Sequence, residues 1–404
     1  MSALVCLLIF PAVSSLRVPQ AVSTLNEVWQ TVNENFYEPN FNGVDWKAVR
    51  KKYEPLAAQT KSSEQLSNVI NQMLSELKTS HTAFYTQLEP AYYQLLGIFN
   101  SEGLWKDLKP FFPNRDISYA GIGAFTKELN GKTFISAILD GSPAAKAKLK
   151  VGDQLLSVDG KKYQAIESFA NKVGKEVQVA VQRTLDPNNR ETITVVPKKF
   201  NPTTMFLDAM RASTQVIQRG KSKIGYIHIW SYAGDQYQQQ LEEEITYGKL
   251  RDADSLILDL REGWGGASPR YLSIFTAKVP SLIQIPRNGR KFNLDYQWKK
   301  PAVMLVNQGS RSGKEILAYG FKKYSIGSII GTKTAGAVVG GRPFILKDGN
   351  LLYLAVVDVF VDGERLEGKG VTPDIEVPFQ LEYAQGVDPQ KEKAIEVLAT
   401  SVNS

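Results

Sequence analysis

The sequence predicts an α/β protein of several domains, α+β in overall layout: a helical N-terminal segment, a small strand-rich module and an α/β core. Three observations predict this. Residues 19 to 118 keep apolar residues at helical spacing. From Tyr119 to Phe200 the texture changes to short strands and turns. Beyond residue 201, buried strands alternate with helical patterns.

In the first segment, Val22, Leu25, Val28, Trp29, Val32 and Phe36 share one helix face. Leu66, Val69, Ile70, Met73, Leu74 and Leu77 share another, and Ser62 with Gln65 has the form of a capping box at its start. That helix runs into Lys78-Thr79-Ser80-His81-Thr82. His81 is one of two histidines. The other, His228, lies in the alternating pattern Ile224–Trp230 and reads as a strand residue. His81 stands in a polar stretch after a helix end, and it is the better candidate for a neutral-pH general base.

In the core, Ser255–Arg261 is a buried strand that ends in Glu262-Gly263-Trp264-Gly265-Gly266. Glycines there let backbone N–H groups approach a ligand without Cβ interference. Ala302–Val306 is a second buried strand, followed by Asn307-Gln308-Gly309-Ser310-Arg311-Ser312-Gly313-Lys314-Glu315. Ile316, Leu317, Tyr319, Phe321 and Tyr324 then recur at roughly helical spacing. Ser312 therefore stands on a strand-to-helix turn. Such a turn lifts a side chain clear of the sheet and aims the helix's first N–H groups at whatever lies there, which suits a nucleophile. The plainer reading is that Ser310 or Ser312 only caps the helix. The core closes on a hairpin around Lys347-Asp348-Gly349-Asn350 and on Glu364-Arg365-Leu366-Glu367-Gly368-Lys369-Gly370-Val371-Thr372-Pro373-Asp374.

The 404 residues are 43% hydrophobic, enough for two or three domains with real cores. The net charge of +7 is scattered and forms no nucleic-acid-binding run. The single cysteine, Cys6, lies in an apolar stretch, residues 3 to 13, shaped like a secretory signal. Removal of residues 1–16 would leave no thiol, which excludes disulfides, thiolate catalysis and cysteine metal sites. No later stretch is apolar enough for an integral membrane segment, and no metal-ligand cluster or phosphate-binding loop appears. No cofactor or metal is expected.

Gly121-Ile122-Gly123-Ala124, then Gly141-Ser142-Pro143-Ala144 through Gly152-Asp153 and Leu155–Gly160, resemble a PDZ domain over about eighty residues. The resemblance implies that Gly121, Ile122, Gly123 and Ala124 receive a peptide's terminal carboxylate while the peptide adds as a strand. With the Leu258–Gly266 loop, the Ser310–Glu315 turn and the Leu366–Asp374 ending in this order, the chain resembles the tail-specific, or C-terminal processing, serine proteases. That resemblance implies a crotonase-like protease core with the PDZ domain inserted before it. The expected division is a signal peptide at 1–16, a helical region at 17–118, the PDZ domain at 119–200 and the protease core at 201–404.

Within that family Ser312 matches the nucleophile. Many members pair it with a lysine in a segment that here reads Thr334-Ala335-Gly336-Ala337, so Ala337 stands where that lysine would be. Lys333 and Lys314 do not match the position and read as surface charges. The chain is similar instead to the tricorn branch, whose pattern implies His81 as base, with Ser80 and Glu367 completing a tetrad. The N–H groups of Gly313 and Gly265 would then hold the oxyanion. The expected activity is that of a secreted or periplasmic serine endopeptidase acting on polypeptides bound by their C-termini. Three alternatives stay open: a protease with a displaced lysine as base, an inactive binding protein on the same scaffold, as in retinoid-binding relatives, and a crotonase-type acyl-CoA enzyme.

Overall fold

The computed structural model describes residues 18–280, 282–294 and 297–401. The expected signal segment, residues 1–16, lies outside them. The chain forms two compact units. The smaller takes the chain up to Thr86 together with Gly341–Val357; the larger takes Gln87–Gly340 and Asp358 onward.

The smaller unit is built on three helices, Val18–Asn35, Trp46–Ala58 and Ser63–Ser75. The faces expected from spacing are the buried ones: Leu25, Val28 and Val32 on the first helix, and Ile70, Met73 and Leu74 on the third. The indole of Trp29 donates to the carbonyl of Trp46 (2.8 Å), and that of Trp46 returns the bond (3.2 Å), joining the first two helices. Ser62 caps the third helix by accepting the Gln65 N–H. Gln65 reaches back to Lys61 N–H, one residue before the cap, so the capping box is offset by one. The strand Ala83–Tyr85 pairs antiparallel with Leu351–Val357, which lies beside Gly340–Ile345. The expected hairpin turn is present: Asp348 accepts the Asn350 N–H, and Gly349 takes φ +83°.

The larger unit holds two sheets that matter for function. The first is a five-stranded antiparallel sheet, in the order 124–129, 132–138, 154–158, 177–182, 190–195. Its apolar core contains Ile122, Ile135, Leu149, Phe169, Val177, Val179 and Val181. Ala124–Leu129 is an edge strand, with one side unpaired in this sheet. The second is a six-stranded sheet whose order is Ile375–Glu376, Ser328–Gly331, Ala302–Val306, Ser255–Asp259, Ser222–His228, Gln215–Arg219. All its pairings are parallel except the last. The two central strands, Ser255–Asp259 and Ala302–Val306, are buried at every residue, as a parallel sheet covered by helices requires.

The units differ from the expected division in two places. The hairpin at 341–357 clusters with the N-terminal helices, because its inner strand pairs with Ala83–Tyr85. The helices Pro90–Ile98 and Glu102–Leu108 cluster with the larger unit instead. Gln94 explains this: it donates to the Tyr119 hydroxyl and accepts from the Trp264 indole.

Candidate active site

Ser312 sits where the Ala302–Val306 strand gives way to the helix Gly313–Lys323. Its backbone is strained, at φ +57° and ψ −128°, a region that costs a non-glycine residue on the order of 1–3 kcal/mol. Hydrogen bonds hold it there. The Ser312 N–H is shared between Ala337 O (2.8 Å) and the Glu315 carboxylate (3.1 Å). Ser310, the other candidate, is a structural staple: its buried hydroxyl donates to Leu260 O and accepts from Asn307 N–H. The turn thus ties the ends of both central strands together, and Ser312 is the partly exposed serine it presents.

The glycine loop lies directly against this turn. A Cβ on Gly265 would stand 2.6 Å from Ser312 Cβ and 2.7 Å from Arg311 O. A Cβ on Gly313 would collide with the Ala267 backbone nitrogen. Both positions therefore require glycine, since only a bare backbone allows the approach. Gly313 is the first helical residue, where an N–H has no intrahelical acceptor. The structure brings Ser312, Gly313 and Gly265 together in the larger unit.

Glu315, missed in the sequence reading, organises the other flank. Its carboxylate accepts from the Thr334 hydroxyl (2.6 Å), Gly336 N–H (2.7 Å), Ala337 N–H (2.7 Å) and Ser312 N–H. Burial pushes its carboxyl up, and these donors pull it back. Glu367 continues the framework. It is buried and accepts the Val338 N–H at 2.7 Å, while Gly368 N–H donates to Gly336 O. Thr334–Val338 is therefore gripped from one side by Glu315 and from the other by the Glu367 segment. Ala337, in place of a lysine, contributes only its backbone here.

Ser80 and His81 belong to the smaller unit and are paired with each other: Ser80 Oγ lies 2.9 Å from His81 Nδ1. The ring of His81 packs at a tilt on Tyr353, 5.5 Å between centroids, and its backbone is left-handed at φ +51°. His228 is structural, as its strand pattern predicts. It is buried, stacks on Trp230 at 3.9 Å, and its Nε2 lies 2.9 Å from Arg261 O.

Lys314 is a correction. Read as a surface charge, it is wholly buried, and its Nζ donates to Glu262 O (2.6 Å) and Trp230 O (3.3 Å). Burial pushes its amine down to about 7, against the opposing pull of Asp259 and Glu262. The signal was available in the helix register. Lys314, Leu317, Ala318 and Phe321 follow i, i+3, i+4, i+7 spacing, and all four are buried. Lys333 is exposed, as read.

In the PDZ-like sheet, the carbonyls of Ile122 and Gly123 accept from Ala144 and Leu139 N–H groups, which fixes the Gly121–Ala124 loop at the head of the edge strand. Phe125, one residue into that strand, stacks on Trp230 of the core at 5.7 Å and 7°.

Comparison with known proteins gives three family matches along the chain. The tricorn protease C1 domain matches residues 23–75, a PDZ domain 134–183 and peptidase family S41 223–377. The putative tricorn-like protease C-terminal subunit of Sulfurisphaera tokodaii is 28% identical over 92% of this chain and 42% of its own length. The carboxyl-terminal-processing protease of Synechocystis is 26% identical over 96% of this chain and 89% of its own. The chain thus spans about two fifths of the first relative and most of the second. Among solved structures, a photosystem II D1 C-terminal processing protease superposes with a TM-score of 0.51 at 20% identity, covering 91% of this chain and 98% of that one, which shows a shared fold.

Proposed function

From its place in peptidase family S41, a family of serine-type peptidases to which the chain belongs, we propose that it is an extracytoplasmic endopeptidase with Ser312 as nucleophile and His81 as general base. The observation that carries this is the strained Ser312 turn with Gly265 packed against it. Ser312 Oγ attacks the scissile carbonyl as His81 takes its proton. The new oxyanion is held by the N–H groups of Gly313 and Gly265. His81 then returns the proton to the leaving amine, and water repeats the sequence on the acyl-enzyme. Ser80, at His81 Nδ1, keeps the ring oriented so that Nε2 serves as base, and Glu367 stabilises the imidazolium. Secretion rests on the apolar segment at 3–13. No helix among the described residues is long and apolar enough to cross a membrane.

The test is labelling by a fluorophosphonate probe together with peptide hydrolysis across pH. Ser312 should be labelled, and activity should rise through about pH 6 to 8, where a free imidazole near 6.5 loses its proton. A folded protein that neither takes the probe nor cuts any bound peptide would favour the inactive binding-protein reading.

A lysine base has one observation in its favour, the buried Lys314 amine. Yet both of its recorded hydrogen bonds run to carbonyl oxygens. A base must instead direct a lone pair at Ser312 Oγ.

Substrates are proposed to be polypeptides bound by their C-termini at the Gly121–Ala124 loop, adding to the open edge of Ala124–Leu129. Isothermal titration with a peptide ending in an apolar residue should show binding, and C-terminal amidation should weaken it at least tenfold. Equal affinity for acid and amide would remove carboxylate recognition.

A further inference from the structure

We infer that Lys314 is a positioning residue for the oxyanion hole, clamping the root of the glycine loop through the Glu262 and Trp230 carbonyls. This rests on the assignment of Gly265 to the oxyanion hole made above.

Three observations carry it. First, Lys314 is entirely buried, and burying an amine is costly unless its hydrogens are used. Here they are used on two carbonyls that converge from different segments, the stretch just after the Ser222–His228 strand and the start of the glycine loop. Second, the loop root is strained. Glu262 has φ +54° and Gly263 φ +70°, a left-handed pair that turns the Glu262 carbonyl towards the helix. A left-handed non-glycine residue persists only when its surroundings over-determine it. Lys314 holds the carbonyl of Glu262, and Asn307 holds both its N–H and its carboxylate. Third, Trp230 O is shared between the helix and the loop, accepting from Lys314 Nζ and from Trp264 N–H at 2.8 Å. Gly265, next in the chain, is the residue that meets Ser312. Lys314 also sits two residues after Ser312 on the same helix. One side chain therefore fixes the distance between the nucleophile's helix and the loop that faces it.

Neither charge state undoes the clamp. A neutral amine keeps two N–H groups, enough for two carbonyls. Asp259 and Glu262 favour the charged form and Arg311 opposes it. The role is thus donation of hydrogen bonds, which separates it from proton transfer.

The test compares Lys314→Met, which has no donors, with Lys314→Gln, which has the same number of side-chain bonds as Met but keeps two amide donors and cannot act as a base; both end one bond short of the lysine amine. Read-outs are kcat, KM, fluorophosphonate labelling rate and thermal midpoint. Lys314→Met should lose about 10²–10³-fold in kcat, the size of a lost oxyanion donor, with KM within about threefold. Labelling should slow in parallel. Lys314→Gln should recover at least about tenfold of that kcat. A folded Lys314→Met with wild-type kcat overturns the inference, as does a Lys314→Gln no better than Lys314→Met. Should Lys314→Met fail to fold, Lys314→Gln decides alone: a kcat within about thirtyfold of wild type supports donation, and a loss of about 10⁴-fold overturns it. The histidine assignment fails separately, through an active His81→Ala, which leaves the Met-versus-Gln comparison readable.

Discussion

Ser312→Ala and His81→Ala should each remove turnover by on the order of 10⁴-fold or more, and the double variant should be little worse than either single one. The non-additivity follows from the roles assigned. Without the serine oxygen there is no proton for the imidazole to take, and without the imidazole the hydroxyl stays a weak nucleophile. Each loss therefore already contains the other. What survives is catalysis by positioning and by the oxyanion N–H groups, which neither substitution touches. Lys333→Ala should stay within about tenfold of wild type, because Lys333 is an exposed surface charge. Hydrolysis of a peptide ending in an apolar residue, measured for the wild type and these four variants from pH 5 to 9, checks the set. An additive double variant would mean that Ser312 and His81 act in separate steps. Full activity in His81→Ala would dismiss the histidine.

The sequence makes the layers of this fold legible and leaves its cross-links obscure, and particular residues show why. The apolar run of Ala302–Val306 and the period of the following helix place Ser312 on its turn, because periodicity is a local property. Glycine at 265 is legible as a close approach, but what it approaches is not. The contact with Ser312 joins two loops 47 residues apart, and no pattern within either loop reports it. Glu315 is a stronger case. In the sequence it is one more helix-start carboxylate. In the structure it accepts four hydrogen bonds, three of them from residues 334 to 337. Lys314 was missed for a different reason. Lysine is rarely buried, so its residue type outweighed a register that placed it inward. The pairing of the 341–357 hairpin with Ala83–Tyr85 joins residues some 270 apart, and strand pairing over that distance leaves no local trace.

Arg261→Met should destabilise the protein by about 3–5 kcal/mol at pH 7, the cost of leaving a buried charge without its partner. Asp259 is fully buried at the end of the central Ser255–Asp259 strand. Arg261 binds it through Nε (3.0 Å) and Nη2 (2.6 Å), and reaches on to Asp388 with two further bonds of 2.8 and 2.7 Å. Asp388 directly precedes the C-terminal helix Pro389–Ser401, so one guanidinium joins that helix to the sheet. Burial by itself pushes the Asp259 carboxyl up, but Arg261 and His228 outweigh it and hold the group well below the usual carboxylate range. The sign with pH follows. In the wild type the folded-state value lies below the unfolded one, so the pair's contribution is present above about pH 4 and is lost as acid approaches the folded value. In Arg261→Met burial remains and the guanidinium does not, so the folded value rises above the unfolded one. The variant is then relieved as Asp259 takes up a proton, and its penalty falls on acidification. Urea unfolding of both proteins at pH 7 and pH 4.5 measures this. The gap should be largest at pH 7 and clearly smaller at pH 4.5. A gap that stays flat or widens in acid, or one below about 1 kcal/mol at neutral pH, would show that Asp259 is satisfied by the Tyr226 hydroxyl and the backbone N–H of residue 261 alone.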